Sequence, residues 1–322
     1  MKAVFVTSHG GPEVLQLQDV AVPDPKKGQV RVQVAAAGVN YADLAQREGF
    51  YPGGPEPPYI AGFEISGVVD QLGAGVTACQ VGDRVMGFCS SGYAEYVVTD
   101  AETLLRMPGG VDFVQAAAIP CQYFTAYHAL FTLAGLKPDQ TVLINAAAGG
   151  LGTQLVQLSK LAGAMVRGTC SSEEKTKLLQ ELRCDFPINY VIKDFEVAVK
   201  EITKGRGCDL VVECVGGEVF DKSLRCVRPR GRLIVLGVAS REPATVFTPL
   251  LLMNNITVSG FHLGAYATDA GAMAPAVRNL YEWVESGSLR MYVGHTFSLE
   301  NAADAHQLIA SRKSAGKVVL TL

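Results

Sequence analysis

The chain has 322 residues, 48% of them hydrophobic and 18% charged, with 28 basic and 31 acidic side chains giving a formal net charge of -3. That length suggests about two domains, and the composition is that of a folded globular protein, which excludes a disordered chain or a fibrous repeat. The charges are intermixed without a basic block, so no nucleic acid partner is expected, and no run approaches the roughly eighteen apolar residues of a membrane span, so no membrane is expected either.

Met1 leads straight into the alternating segment 2–7, with no charged stretch, apolar run and cleavage site, and a cytoplasmic protein is expected. The first hundred or so residues read as short strands broken by turn clusters. Residues 29–34 alternate apolar and polar, 22–28 carry turn chemistry, and 67–70, 81–87 and 93–98 give further strands at close spacing, while 38–44 reads as a loop entering a short helix. Near residue 116 the texture becomes helical. A buried strand at 141–145 then runs into the glycine-rich turn 146–152 and directly into a helix marked by Leu151, Leu155, Leu158 and Leu161. Strand character resumes at 164–169, which completes a βαβ unit of about thirty residues.

Set beside G-x-G-x-x-G, the turn reads Ala147-x-Gly149-x-x-Gly152. Gly149 lets the backbone approach a pyrophosphate, Gly152 lets the helix pack closely on the strand, and the helix amino terminus around Gly150 and Leu151 offers N–H groups to phosphate oxygens. Ala147 permits the turn if its φ stays negative. The alternative, a turn that merely joins strand to helix, is outweighed by the βαβ context. Beyond it, helices (173–182, 219–226) and strands (209–214, 231–237, 256–261) alternate, implying an α/β doubly wound parallel sheet with helices on both faces. Ligands of such sheets lie at the carboxyl ends of the strands, which brings Val215 and Gly237 to the site. A helix at about 274–285, another at 300–311 and a last strand at 316–322 are expected to form no further βαβ unit. The last strand could rejoin the amino-terminal β domain, making the nucleotide domain an insertion.

The tip of the second nucleotide-domain strand carries Ser171 and Ser172 where an NAD-specific site places a carboxylate, and Lys175 could reach a 2′-phosphate. For an isolated lysine the competing reading is a solvated surface charge. Glu173 and Glu174 suit the first turn of the next helix. The eight cysteines lack C-x-x-C spacing and read as reduced, buried or neutral thiols.

Six ordered motifs carry a resemblance over the whole chain: GGPEVL at 10–15, AGVNYAD at 37–43, GFYP at 49–52, VGDRV at 81–85, AAAGGLG at 146–152 and INY at 188–190. The chain resembles the zinc-free quinone oxidoreductase branch of the medium-chain dehydrogenase/reductase superfamily. That resemblance implies a GroES-like β-rich catalytic domain from residues 1–120 and 265–322, an inserted Rossmann domain from 121–264, and NADPH in the cleft between them. Asn40 and Phe63 stand where the alcohol dehydrogenase branch has its first catalytic cysteine and its histidine. Cys121 alone matches the third ligand, too few for a catalytic zinc, so no metal is expected.

By the same resemblance Tyr190 and Arg312 join the phosphate contacts, and Asn40, Tyr41, Asp43, Tyr51 and Thr125 lie near the nicotinamide. Asn40 and Thr125 are neutral hydrogen-bonders suited to a carboxamide or substrate carbonyl. Asp43 reads equally as a helix cap, Tyr41 equally as packing, and Tyr51 either as a proton donor or as a structural tyrosine under the loop. The histidines at 128, 262, 295 and 306 show no partner spacing. The expected activity is metal-free hydride transfer from NADPH to a quinone or an α,β-unsaturated carbonyl. An enoyl thioester reductase and a non-catalytic NADPH-binding regulatory or structural protein remain as alternatives. The β-rich segment 256–261 is expected at a sheet edge, where it would pair two chains into a homodimer.

Overall fold

A computed structural model describes all residues from Met1 to Leu322. They form two units, Met1–Gln122 with Arg290–Leu322, and Tyr123–Leu289.

In the first unit β1 (Lys2–Val6) pairs antiparallel with β2 (Leu15–Asp19). The spine is β3 (Gln29–Val39), whose alternation sends Val30, Val32 and Val34 into the core. Helix α1 (Tyr41–Arg47) follows directly, and β4 (Tyr59–Ile60) returns to the free edge of β1. Then come β5 (Glu64–Leu72), β6 (Arg84–Phe88), β7 (Tyr96–Asp100), β8 (Leu104–Arg106) and the short α2 (Phe113–Ala116). β3 pairs with β5 along most of its length, with β7 through residues 29–33.

Helix α3 (Pro120–Tyr127) leads into the second unit. Its elements alternate as the apolar periods require: β9 (Thr141–Ile144), α4 (Gly150–Leu161), β10 (Met165–Cys170), α5 (Glu173–Glu181), β11 (Phe186–Asn189), α6 (Phe195–Ile202), β12 (Cys208–Glu213), α7 (Gly217–Arg225), β13 (Val227–Val235), α8 (Thr248–Asn254) and β14 (Thr257–Gly260). The sheet order is β11-β10-β9-β12-β13-β14, with every pair parallel. β9 is buried at all four positions, as a strand covered on both faces must be. The order reverses between β9 and β12, which puts the binding crevice of a doubly wound sheet at their carboxyl ends. β14 lies at the edge, where 256–261 was expected.

Helices α9 (Gly264–Ala267) and α10 (Ala270–Glu285) close this unit. Residues 265–289, read from the sequence as part of the catalytic domain, group here instead. The reason is packing on α3: the Tyr123 hydroxyl donates to the Ala276 carbonyl at 2.8 Å, and Trp283 meets the rings of Tyr127 and Phe131. The chain then returns to the first unit as β15 (Val293–Ser298), α11 (Ala302–Ala310) and β16 (Lys317–Thr321). β16 does rejoin β3, antiparallel through residues 36–39. A correction concerns β15, which pairs parallel with β16 across α11 and so makes the further βαβ unit that was not expected. Gly294 and His295 interrupt its apolar pattern and hide the strand.

Candidate active site

The glycine turn is built from the end of β9. Asn145, 2% exposed, donates from Nδ2 to Ser223 Oγ on α7 at 2.6 Å and accepts from Thr169 Oγ1 on β10 at 3.3 Å. These bonds tie the turn to the neighbouring strand and helix. The residue with positive φ is Ala146, at 51°, while Ala147 is buried against Gly168. A Cβ at Gly152 would lie 2.3 Å from the Ala146 carbonyl oxygen, so only glycine lets α4 approach the turn. At Gly149 the nearest protein atom to such a Cβ is that same oxygen at 3.4 Å, an ordinary contact. The packing itself does not demand glycine there, which leaves an open cradle at the helix start. Gly149 is the N-cap and no side chain caps it. The first intrahelical donor here is Thr153, to the Gly149 carbonyl at 2.9 Å, so the N–H groups of Gly150, Leu151 and Gly152 are those a pyrophosphate would use.

The other expected coenzyme residues of this unit lie at the same end of the sheet. Ser171 and Ser172 follow β10. Ser172 is the N-cap of α5, accepting from the Lys175 N–H at 3.2 Å, and Glu173 and Glu174 occupy the first turn. No carboxylate stands at the strand tip. Lys175 is half-buried, and burial lowers its pKa. The Tyr190 N–H donates to the Cys170 carbonyl at 3.0 Å, which sets that exposed ring beside the end of β10. Val215 and Gly237 follow β12 and β13, and the Ser240 N–H closes on the Val215 carbonyl at 2.7 Å. Glu213, wholly buried, accepts from the N–H groups of Val215 and Gly216 at 2.6 and 3.0 Å and so shapes this loop. Arg312 belongs to the first unit, exposed in the turn after α11 with φ 60°. Thr125 belongs to the second, half-buried on α3.

In the first unit the sequence missed the charges that organise the site. Glu64 on β5 and Lys317 on β16 are 0% and 2% exposed and form an ion pair at 2.5 Å. Asn40, 5% exposed, links them: its Nδ2 donates to Glu64 Oε1 at 2.6 Å, and its Oδ1 accepts from Lys317 Nζ at 2.7 Å and from Gln122 Nε2 at 3.3 Å. The second Glu64 oxygen accepts from the Cys121 N–H at 2.7 Å. The amide of Asn40, expected to orient the carboxamide or a substrate carbonyl, is hydrogen-bonded within this buried network. The available signal was a glutamate heading the apolar start of β5 and a lone lysine heading the apolar β16.

Asp43 sits at the third position of α1 and its Oδ2 accepts from the Asn40 N–H at 2.8 Å, the capping-box contact of this helix. The carboxyl is buried beside the Tyr93 hydroxyl, and burial raises its pKa to about 7. Beside it runs a second chain that the sequence did not reveal. Arg47, 1% exposed, donates to His306 Nδ1 at 3.2 Å, and His306 Nε2 lies 3.3 Å from the Tyr93 hydroxyl. Arginine has only donors, so the ring proton of His306 is on Nε2, facing the Tyr93 oxygen. Burial first, and the Arg47 charge second, push His306 down to about 3 and keep it neutral. Tyr93 in turn interacts with Asp43. Tyr51 is half-buried in the turn after α1, its N–H on the Ala45 carbonyl at 3.2 Å; burial, then Cys121 and Asp43, raise its pKa. His128 is stacked on Tyr266 at 5.0 Å and bonded to Thr132, a core histidine. No three His, Cys, Asp or Glu side chains converge as a metal site.

Two family profiles match the chain: the alcohol dehydrogenase GroES-like domain over residues 26–109 and the zinc-binding dehydrogenase domain over 150–280. A quinone oxidoreductase-like protein 2 homolog of Nematostella vectensis is 37% identical over 99% of this chain and 88% of its own length. A 2-haloacrylate reductase of a Burkholderia species is 35% identical over 99% of this chain and 98% of its own. The crystal structure of Escherichia coli quinone oxidoreductase complexed with NADPH superposes over 100% of both chains with a TM-score of 0.95 at 30% identity. With the doubly wound sheet, the glycine turn and the Asn40 and Phe63 positions already in view, the chain belongs to the zinc-free quinone oxidoreductase branch of the medium-chain dehydrogenase/reductase superfamily.

Proposed function

We propose that the chain is an NADPH-dependent oxidoreductase that reduces a quinone or an α,β-unsaturated carbonyl. The observation that carries this reading is the cradle at Gly149, open above the amino terminus of α4 where the packing would accept alanine. The pyrophosphate would be held by the N–H groups of Gly150, Leu151 and Gly152, with Ala147 packing the turn, and Val215 and Gly237 would border the nicotinamide half. Ser171, Lys175 and Tyr190 would hold the 2′-phosphate. NADPH supplies a hydride when bound. The relatives named quinone oxidoreductase and 2-haloacrylate reductase support the acceptor class.

Reducing a conjugated acceptor builds negative charge on its oxygen and later requires a proton at carbon or oxygen. Thr125 is the neutral donor available for that oxygen or for the carboxamide. Tyr51, whose pKa is raised by burial, stays protonated at neutral pH and can deliver the proton from its hydroxyl. Burial raises Asp43 to about 7, so its charge changes near neutrality. Asn40 acts indirectly: it holds Glu64 and Lys317 in place and, through its N–H, the Asp43 carboxylate.

Two chains pair through β14, the edge strand, beside which α8 leaves Leu252 and Met253 nearly 80% exposed, at 79% and 78%. The eight cysteines are all free, which suits the reducing cytoplasm. The central test is NADPH oxidation against a panel of quinones, 2-alkenals and enoyl thioesters. Turnover with the first two classes is expected, and no consumption of NADPH with any of them sinks the assignment.

A further inference from the structure

At the amino-terminal ends of β9, β12 and β13, the opposite end of the sheet from the glycine turn, lies a cavity of about 230 Å³ whose lining includes Lys137, Asp209, Arg228, Arg230 and Arg232. Four cations thus face one carboxylate, and that carboxylate is already used. Asp209 Oδ1 accepts from Arg228 Nε at 2.5 Å, and Oδ2 accepts from the Thr141 N–H at 2.9 Å and from Arg206 at 3.2 Å. Arg228 Nη1 and Arg232 Nη1 each find a backbone carbonyl, of Pro229 and Ala134, both at 2.6 Å. The Arg230 and Lys137 side chains are exposed at the cavity and make no ion pair.

The backbone is shaped to put the arginines there. Cys208 pairs with Val227 and Leu210 with Arg232, so Asp209 alone stands opposite residues 228–231 and the sequence RPRG bulges out of β13. Gly231 is required by the fold, since a Cβ there would lie 2.6 Å from Val227 Cγ1. Arg230 is not: its φ of 61° is left-handed backbone that favours glycine or asparagine. Arg230 is exposed at this cavity, and its charge is open to a ligand there.

We infer that this cavity is an anion site, separate from the coenzyme site, that binds a small phosphate-type oxyanion. Guanidinium forks and an ammonium match the oxygens of phosphate, and several cations around one site call for a multiply charged ligand. The volume suits pyrophosphate or a small phosphate ester and is below that of ordinary cofactor pockets.

The test is calorimetric titration of the full chain, saturated with NADPH, with inorganic pyrophosphate and separately with ribose 5-phosphate at low salt. Saturable binding that weakens with added salt is expected for at least one of them, and which one tells a free anion from an ester. Arg230→Gly suits the local backbone and should keep the melting temperature, yet lose about tenfold or more in affinity, one charge-assisted contact's worth. Arg230→Lys, which keeps the charge, should retain part of it. Absence of saturable heat with both anions at millimolar concentration overturns the site, as does an Arg230→Gly protein that binds like wild type.

Discussion

Tyr51 and Asp43 both belong to the first unit, where the Asp43 charge reaches the Tyr51 hydroxyl, and each makes a separable prediction. If Tyr51 delivers the proton, Tyr51→Phe lowers kcat by roughly 10²-fold or changes the face protonated, with little change in NADPH affinity; unchanged rate and stereochemistry in deuterated solvent would assign the proton to water. For Asp43, a buried carboxyl raised from 3.8 to about 7, the folded state binds the proton more tightly than the unfolded state. Its contribution to stability is therefore complete below about pH 4 and is lost as pH rises through 7. Asp43→Asn removes that dependence, and urea unfolding should show the variant gaining about 2 kcal/mol on wild type between pH 5 and 8. A pH-independent difference would count against the raised carboxyl. The Glu64–Lys317 pair behaves differently, because removing one partner strands a charge in a dry interior. Lys317→Met should cost about 3 to 5 kcal/mol in unfolding free energy, and Glu64→Gln added to it should recover part of the loss.

At the level of elements, the strand-turn-helix of β9 and α4 contains two glycines with different physical duties. Gly152→Ala drives a methyl to 2.3 Å from the Ala146 oxygen and should destabilise the protein by about 1 to 3 kcal/mol. Gly149→Ala meets only an ordinary contact, so the melting temperature should hold while NADPH affinity, read by fluorescence titration, falls by about tenfold or more. Equal NADPH affinity in that variant would mean that the pyrophosphate does not approach Gly149. The same contrast explains what could be read in advance. The motif spacing located the turn, whereas the positive φ fell on Ala146 rather than on the position compared with the first glycine, because backbone strain is distributed by the neighbours that Asn145 and Thr169 tie down.

For the whole molecule, a preference for NADPH over NADH of about one to two decades is expected from a charge-assisted phosphate contact worth roughly 1.5 to 3 kcal/mol, and equal dissociation constants for the two coenzymes would remove the role given to Lys175. Pairing through β14 predicts a dimer in sedimentation at micromolar concentration. Leu252→Glu with Met253→Glu on α8 should shift it to monomer if that helix flanks the interface, and a wild-type monomer would sink the arrangement.

The sequence by itself determined the class of the fold and the location of the coenzyme turn, because both rest on local periodicities: buried runs of four to six residues, helical spacing of leucines, and glycines at fixed offsets. It also placed 256–261 at the sheet edge and joined the last strand to the amino-terminal domain. Tertiary structure alone decided the polar interior of the first unit. Glu64 and Lys317 are 253 residues apart and Arg47 and His306 are 259 apart, so no spacing rule connects them. Their partnership exists only because β16 returns to β3 and α11 packs on α1. Tertiary packing also assigned α10 to the second unit, through Tyr123 and Trp283, and turned the chain end into a βαβ unit. Burial converts such chance-looking single residues into a network, since a charge removed from water is tolerated only where the fold supplies its opposite.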